Sequence, residues 1–371
     1  MLVTVLLLTT QNTHARHAEI LIDADNGTIL HELEASQSWY PASLTKLMTL
    51  YMAFDALKAG QIQLDDRIIA SSHAARQPNS RLGLRTGDNL SVEDAILALI
   101  TRSANDAAVA LGEHLGGTEE NFAVKMTAKA HAIGMSDSYF MNATGLPNDL
   151  QVSTAHDLGL LAWRTLRDFP DYYPYFSVPN LYFKGRQLPA INKFTKTYPG
   201  AEGMKTGFTC GSGYNLISSA SQNGKRLMGV VLGGMSSPQR YQLMIAMMNN
   251  GFANQYTAGR SITAPEAMSS TSTPPYQLGC GRHVATTVAV NDDDVSSDAI
   301  GDSASNYHHA SYHAPRYYRH SSHRFASHRP VAVHRHFVRA VASKTRHVAA
   351  TTAKKTADRT RYHRLSHGKH R

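Results

Sequence analysis

Three short polar motifs follow one another along the chain, and their residue types would together support acyl transfer. They are Ser43-Leu44-Thr45-Lys46, Ser103-Ala104-Asn105 and Lys205-Thr206-Gly207. A serine hydroxyl is a poor nucleophile unless an adjacent base takes its proton, and no Ser-His-Asp arrangement can be read from the sequence. We therefore predict Ser43 as the nucleophile and Lys46 as its base. A lysine acts as a base only when burial or a second cation destabilises its ammonium form, and Lys205 would supply that cation.

The first motif must be positioned by a helix. Apolar residues recur at helical spacing after Ser43, and Pro41 and Ser43 are both typical of a helix start. A helix that begins at Ser43 would place Ser43 and Lys46 one turn apart on the same face, with the positive end of the helix dipole beside the hydroxyl. Taken alone, this motif would equally describe a capping serine and a solvated lysine. The other two motifs favour the catalytic interpretation.

The second motif lies between two predicted helices. Ser91-Val92-Glu93-Asp94 has the features of a helix start, and apolar segments occupy residues 95–102 and 107–115. From a short polar loop, Ser103 would relay a proton between Lys46 and a leaving amine, and the Asn105 amide would hold a peptide carbonyl of the substrate. Both side chains could also cap the second helix, and capping is compatible with catalysis.

The third motif is predicted to lie on a strand at the border of the site. It follows a turn at Tyr198-Pro199-Gly200 and precedes β-rich segments at 214–220 and 227–232, which the hairpin signal Asn223-Gly224 separates. Lys205 and Thr206 would bind a substrate carboxylate, with Arg186 as a further candidate, and Gly207 would let the substrate backbone approach closely. The backbone N–H groups of Ser43 and Phe208 would form an oxyanion hole.

Longer stretches around the motifs make the chain similar to one family, the low-molecular-mass penicillin-binding proteins that are D-alanyl-D-alanine carboxypeptidases. The similarity spans about residues 18–258. The stretches that carry it are 22–30, 40–49, Asn142-Ala143-Thr144-Gly145-Leu146-Pro147, 153–158 and 198–216. The resemblance implies an α+β fold of the β-lactamase-like type, in which an antiparallel five-stranded sheet is packed by helices. It also implies a mostly helical second lobe that carries Ser103.

The same resemblance implies an activity. A serine-type carboxypeptidase of this family would remove the terminal D-alanine from peptidoglycan stem pentapeptides through an acyl-Ser43 intermediate, and β-lactam antibiotics would acylate the same serine. No metal or organic cofactor is expected. A DD-endopeptidase would use the same residues and stays open as an alternative. A β-lactamase would need a further glutamate, which we cannot identify between Asn105 and Lys205. A non-catalytic cell-wall-binding protein is disfavoured by the intact polar motifs.

Charge is distributed unevenly along the chain. Residues 303–371 hold fifteen Lys or Arg and one acidic residue, so they carry +14 and leave −5 for residues 1–302 out of the total of +9. A nucleic-acid partner is therefore not predicted. The tail also holds 12 of the 20 histidines, so its charge would rise below about pH 6.5. We predict that it is disordered and that it could hold the enzyme to an anionic envelope surface.

The sequence predicts four segments of the chain and a cellular location for the protein. Residues 1–15 resemble a signal peptide, 16–258 form the predicted catalytic domain, 259–302 are a linker rich in Ser, Thr, Pro and acidic residues, and 303–371 are the basic tail. The apolar run at 2–8 and the small residues near 13–15 favour a secreted protein that is periplasmic or associated with the cell envelope. Cys210 and Cys280 would form one disulfide in such a compartment or remain two free thiols.

Overall fold

Nine β-strands and eight α-helices make up the part of the chain that the computed structural model describes, residues 17–264 together with Pro274. The strands are β1 (Ala18–Asp23), β2 (Ile29–Leu33), β3 (Arg67–Ile69), β4 (Asn89–Ser91), β5 (Asn180–Phe183), β6 (Arg186–Pro189), β7 (Ala201–Thr209), β8 (Gly213–Gln222) and β9 (Lys225–Gly234). The helices are α1 (Thr45–Lys58), α2 (Ser72–Ala75), α3 (Val92–Arg102), α4 (Asn105–Gly116), α5 (Glu119–Ala132), α6 (Ala155–Asp168), α7 (Phe194–Thr197) and α8 (Ser237–Phe252). Two 3₁₀ turns cover Ala42–Leu44 and Tyr173–Ser177.

The central element is an antiparallel five-stranded sheet of order β2-β1-β9-β8-β7, which confirms the predicted fold class. The hairpin between β8 and β9 turns at Asn223 and Gly224, with φ of 52° and 81°. Two consecutive residues with positive φ are what a tight two-residue hairpin requires, and the predicted turn is confirmed. Strand β7 lies at the edge of the sheet, so one of its long sides is available to the site.

Helices cover both faces of the sheet. Alternate residues of a strand point to opposite faces, and in β1 Ile20 and Ile22 belong to the core shared with α1 and α6, whereas Leu21 belongs to the core shared with α8. Burial on both faces explains why the central strands have continuous apolar runs rather than alternating ones.

Helices α2 to α5 form a second, mostly helical lobe around α1. Helix α1 is apolar on nearly all sides and buries 11 of its 14 residues, as a helix enclosed by others must. The predicted start of α3 is confirmed, because Ser91 and Asp94 form a reciprocal capping box. The helical lobe meets the sheet at the 3₁₀ turn that precedes α1, which packs on β7 and β8.

The chain before α1 differs from the prediction. Helix α1 begins at Thr45, and Ser43 belongs to a separate 3₁₀ turn in which the Leu44 N–H donates to Pro41 O at 3.1 Å. Ala42 enters this turn with φ of 48°. Ser43 therefore lies two residues before the first residue of α1, although Ser43 and Lys46 remain adjacent in space.

The far end of the described chain packs on β2. The N–H of Gly259 donates to Ile29 O, the N–H of Ile262 donates to Gly27 O, and Ile262 is fully buried. The folded unit thus continues past the predicted domain boundary at residue 258. The segment 1–15, the acidic part of the linker and the basic tail 303–371 lie outside the described residues. Within the described part of the chain, no helix combines the length and the apolar composition needed to cross a bilayer.

Candidate active site

Ser43 and Lys46 form the centre of the site. Lys46 is fully buried, and its Nζ lies 3.0 Å from Ser43 Oγ, 2.7 Å from Asn105 Oδ1 and 2.6 Å from Thr144 O. As an ammonium group, Lys46 donates to all three oxygens. As a neutral amine, it donates its two hydrogens to the two carbonyl oxygens, and its lone pair then faces the Ser43 hydroxyl. The contacts therefore orient Lys46 as an acceptor for the serine proton.

The surroundings of Lys46 favour the neutral amine. Burial lowers the pKa of Lys46 well below its ordinary value, and the positive charge of Lys205 lowers it further. The carboxylates of Asp106 and Glu119 act in the opposite direction. Desolvation is the largest of these effects, so the prediction that burial and Lys205 would destabilise the ammonium form agrees with the structure.

The second and third motifs meet directly. Lys205 is buried in β7, and its Nζ donates to Ser103 Oγ and to Thr206 O, each at 2.8 Å. Ser103 follows the last turn of α3 in the left-handed conformation, with φ of 55°, which ends that helix. The chain reversal between α3 and α4 thereby brings a side chain of the helical lobe onto the edge strand of the sheet.

Asn105 links Lys46 to the neighbouring loop. Its Oδ1 accepts from Lys46, and its Nδ2 donates to Pro78 O at 3.0 Å and to Asn79 O at 3.2 Å. Asn105 is the first residue of α4, whose N-cap is Ala104, and that cap has no side-chain hydrogen bond. The capping alternative for Ser103 and Asn105 is therefore wrong, and the Asn105 amide holds Lys46 in place.

Two buried carboxylates stabilise the loops that carry these carbonyl groups. Asp106 accepts from the backbone N–H groups of Leu82, Gly83 and Leu84 at 2.8–2.9 Å, which fixes the segment after Pro78 and Asn79. Glu119 Oε1 accepts from Ala143 N at 3.0 Å, next to Thr144. Neither carboxylate was predicted from the sequence. Asp106 follows Asn105 directly and could have been suspected, whereas no local signal connects Glu119 with residue 143.

The loop at 142–146 presents the Thr144 carbonyl to Lys46. Asn142 Oδ1 accepts from the N–H groups of Thr144 and Gly145 at 3.1 and 2.8 Å. Gly145 has φ of +84°, and a Cβ at this position would lie 1.8 Å from Ala42 O. Only glycine allows this loop to rest against the turn that carries Ser43.

One face of β7 lines the site. Side chains alternate along a strand, so Lys205, Gly207 and Thr209 share a face. A Cβ on Gly207 would lie 3.1 Å from Ser43 N and 3.2 Å from Leu44 N. Gly207 therefore lets the protein's own 3₁₀ turn approach the strand; its predicted contact with substrate backbone stays a prediction. The Phe208 ring stacks on Tyr214 with centroids 4.1 Å apart, and Thr206 is buried between Lys205 and Gly207.

Arg240 is a second cation beside β7 that sequence reasoning missed. It is fully buried in α8, with Nη1 3.5 Å from Gly207 O and 3.3 Å from Asn215 O, and it lies over the rings of Tyr214 and Tyr241. No local pattern distinguishes it from other residues of an amphipathic helix. Arg186, which was considered for a carboxylate site, is an exposed residue of β6 in a hairpin that packs on α3.

Cys210 directly follows β7 and is disulfide-bonded, so it is not a free thiol; Cys280 lies outside the described residues. His156 is buried in the first turn of α6. The described residues contain no cluster of His, Cys, Asp and Glu able to hold a metal ion.

The fold and the site define a class: a buried serine–lysine pair lies where a five-stranded antiparallel sheet meets a helical lobe, as in the penicillin-binding proteins with a β-lactamase-like fold. The sequence profile of the D-alanyl-D-alanine carboxypeptidase family matches residues 7–236. That match covers more than half of the chain, and the protein belongs to this family.

Individual relatives agree with this assignment. The chain is 31% identical to D-alanyl-D-alanine carboxypeptidase DacF of Bacillus subtilis over 254 residues, which cover 67% of this chain and 65% of DacF. The crystal structure of penicillin binding protein 5 from Haemophilus influenzae aligns with a TM-score of 0.62 and 33% identity, over 66% of this chain and 73% of that one. Penicillin-Binding Protein D2 from Listeria monocytogenes in its ampicillin-bound form aligns with a TM-score of 0.57 and 31% identity, over 66% of this chain and 100% of that one. The chain spans about 60 to 65% of the length of the curated relatives DacF of B. subtilis and DacC of Escherichia coli.

Proposed function

We propose that this protein is a serine-type D-Ala-D-Ala carboxypeptidase that removes the terminal D-alanine from peptidoglycan pentapeptide stems. The observation that carries the proposal is the position of Lys46 Nζ, 3.0 Å from Ser43 Oγ and between two carbonyl acceptors. Family membership and the relatives named D-alanyl-D-alanine carboxypeptidase support the choice of substrate.

In the acylation step, Ser43 Oγ attacks the carbonyl carbon of the penultimate D-alanine while its proton passes to the neutral amine of Lys46. The carbonyl oxygen becomes an oxyanion, which the N–H groups of Ser43 and Phe208 would stabilise. The close packing of Gly207 on the Ser43 turn brings these two backbone segments together. This proximity supports the assignment of the oxyanion hole.

Collapse of the tetrahedral intermediate breaks the peptide bond, and the leaving amine of the terminal D-alanine must gain a proton. Ser103 would pass this proton from the Lys46 ammonium to the amine, because Ser103 Oγ accepts from Lys205 and its own hydrogen can point toward the cleft. The departing D-alanine carries a carboxylate, for which Lys205 and Thr206 would be the binding residues. Arg240, buried behind Gly207, would add positive potential there.

Water completes the cycle by attacking the acyl-Ser43 ester, with Lys46 again as the proton acceptor, which releases the shortened stem and restores the serine. A β-lactam would form the same ester by ring opening. Among the described residues, no carboxylate is hydrogen-bonded to Ser43 or Lys46. Glu119 is instead occupied by Ala143 N and His73. This arrangement favours a peptidase over an enzyme that hydrolyses β-lactams rapidly.

The decisive experiment is mass spectrometry of purified muropeptides after incubation with the full chain. We expect pentapeptide stems to lose one alanine, and Ser43→Ala to abolish the loss. Ser72→Ala, at an exposed position in α2, serves as the matched control and should be fully active. Conversion of cross-linked dimers to monomers would instead indicate an endopeptidase. Unchanged muropeptides despite penicillin labelling of Ser43 would refute the proposed substrate.

We further propose that the protein acts in the cell envelope, where peptidoglycan lies. The signal-like residues 1–15 and the disulfide at Cys210 support this location. The basic segment 303–371 would bind anionic envelope surfaces. Co-sedimentation of the full chain with anionic but not neutral lipid vesicles, weakened by salt, is the expected result. Equal binding to both kinds of vesicle would contradict it.

A further inference from the structure

Glu119 is a buried carboxylate that takes no direct part in the proposed reaction. It is the first residue of α5, and each of its two oxygens has a partner. Oε1 accepts from Ala143 N at 3.0 Å, and Oε2 lies 2.5 Å from His73 Nε2. An ionised carboxylate has no hydrogen to give, so His73 Nε2 donates in this contact. Glu119 therefore joins His73 to the loop that presents Thr144 to Lys46.

Two residues of this loop join the Glu119 contact to Lys46. The Ala143 carbonyl accepts from Thr49 Oγ1 at 2.8 Å, on α1 one turn after Lys46, and the next carbonyl, that of Thr144, accepts from Lys46 Nζ at 2.6 Å. Ala143 and Thr144 are both buried, and a close-packed interior transmits a displacement rather than absorbing it. A shift of the Glu119 carboxylate would therefore move an acceptor that orients the Lys46 amine.

The charge of Glu119 also acts on Lys46. Burial and the charge of Lys205 lower the pKa of Lys46, whereas the carboxylates of Asp106 and Glu119 act in the opposite direction. A group that holds Glu119 in place therefore fixes both the position of the Thr144 carbonyl and part of the electrostatic field at the reacting amine.

His73 is the group that holds the outer oxygen of Glu119, and its own helix is fixed. Ser71 caps α2, since its Oγ accepts from Ala74 N at 3.0 Å, and the same hydroxyl donates to Glu113 Oε1 on α4 at 2.9 Å. The His73 side chain is 45% exposed, so one edge of the ring meets solvent while Nε2 meets the buried carboxylate. Without the imidazole, Glu119 Oε2 would lose its donor, and a buried carboxylate oxygen without a donor is costly.

We propose that His73 is a positioning residue for this reaction: it holds Glu119, and through the loop at 142–146 it keeps Lys46 oriented toward Ser43. The proposal rests on the proposed function, in which Lys46 accepts a proton both when Ser43 is acylated and when the acyl ester is hydrolysed. Loss of the imidazole should therefore slow both steps. One hydrogen bond with a half-exposed donor corresponds to a loss of about two- to tenfold in each rate.

The test measures two rates with the full chain and a fluorescent penicillin: acylation of Ser43 by stopped flow, and hydrolysis of the resulting ester by loss of the bound label. His73→Ala should slow both. His73→Gln should restore both to near the wild-type values, because a glutamine amide nitrogen lies close to the position of Nε2 and can donate to the same oxygen. Ser71→Ala removes the cap of the same helix and its bond to Glu113 but not the Glu119 contact, so it should lower Tm and keep both rates.

Each outcome decides the role of His73. Wild-type rates in His73→Ala, or equal losses in His73→Ala and Ser71→Ala, would overturn it, since the stability of the helix would then account for any effect. Slower acylation with unchanged ester hydrolysis would also overturn it, because that pattern indicates a change in penicillin binding. Rates that stay low in His73→Gln would exclude the donated hydrogen bond as the cause.

Release of D-alanine from a pentapeptide stem by the wild type tests the proposed function separately. If the stem keeps its terminal alanine while the penicillin rates follow the expected pattern, the carboxypeptidase assignment fails and the role of His73 stands.

Discussion

Gly145→Ala adds a single methyl group, and its effect on catalysis should be measurable separately from its effect on stability. A Cβ at residue 145 would lie 1.8 Å from Ala42 O and 2.9 Å from Ser43 N. Real Cβ contacts essentially never fall below 3.0 Å, so in Gly145→Ala the loop and the Ser43 turn must separate by about 1.2 Å. The same loop holds Thr144 O against Lys46 at 2.6 Å. The variant should therefore displace the proposed base relative to the nucleophile.

The expected cost has two parts. An alanine at positive φ loses about 1–2 kcal/mol through backbone strain, and forcing an extra methyl into a packed contact costs about 1–3 kcal/mol more. In a domain of this size, each kcal/mol lowers Tm by about 2–4 °C. A displacement of about 1 Å between reacting groups costs on the order of 10²-fold in rate.

The chain supplies a matched control in Gly185, in the turn between β5 and β6. It also has positive φ, +73°, but a Cβ there would have nothing within 4 Å. Gly185→Ala should lose stability through strain alone and keep the wild-type rate of acylation. The difference between the two variants isolates the contact between Gly145 and the Ser43 turn.

The assay is stopped-flow acylation by a fluorescent penicillin, combined with thermal unfolding of the full chain. We expect Gly145→Ala to acylate about 10²-fold more slowly than Gly185→Ala and to unfold about 2–12 °C lower. Equal acylation rates in the two variants would refute the argument that this loop positions Lys46. Equal Tm values would refute the clash.

Three other variants test the electrostatics and the packing of the site. Acylation requires neutral Lys46, so the rate should rise with pH as this lysine loses its proton. Lys205→Gln removes the cation that lowers the pKa of Lys46. In a plot of acylation rate against pH, the rise on the acid side should therefore move to higher pH, even if the maximal rate also changes. Glu119→Gln removes an anion that raises that pKa and should move this rise to lower pH, whereas shifts in the same direction would contradict the assigned charges. Gly207→Ala places a methyl 3.1 Å from Ser43 N and should slow acylation about tenfold, and an unchanged rate would show that the turn can give way.

Local parts of the fold could be predicted because their causes are local. The capping box of Ser91 and Asp94 and the hairpin at Asn223-Gly224 depend on residues close in sequence, and both were confirmed. The proximity of Ser43 and Lys46 is also local, since three residues make one turn. The 3₁₀ geometry at Ser43 escaped prediction because it depends on β7 and on the loop at Gly145, which pack against that turn from distant parts of the chain.

The sequence by itself determined the chemical groups of this site: a serine with a lysine three residues later, a second serine, an asparagine, and a lysine beside a glycine on a strand. It also determined the class of fold, through motifs and longer stretches shared with a known family. Only the tertiary structure decided how these groups are used. The neutral form of Lys46 is favoured because folding buries it beside Lys205, and its lone pair faces Ser43 because Asn105 and Thr144, 59 and 98 residues away, accept its hydrogens. Arg240 and Glu119 reach the site in the same way. Burial and contacts between distant residues exist only in the folded chain, and no local pattern encodes them.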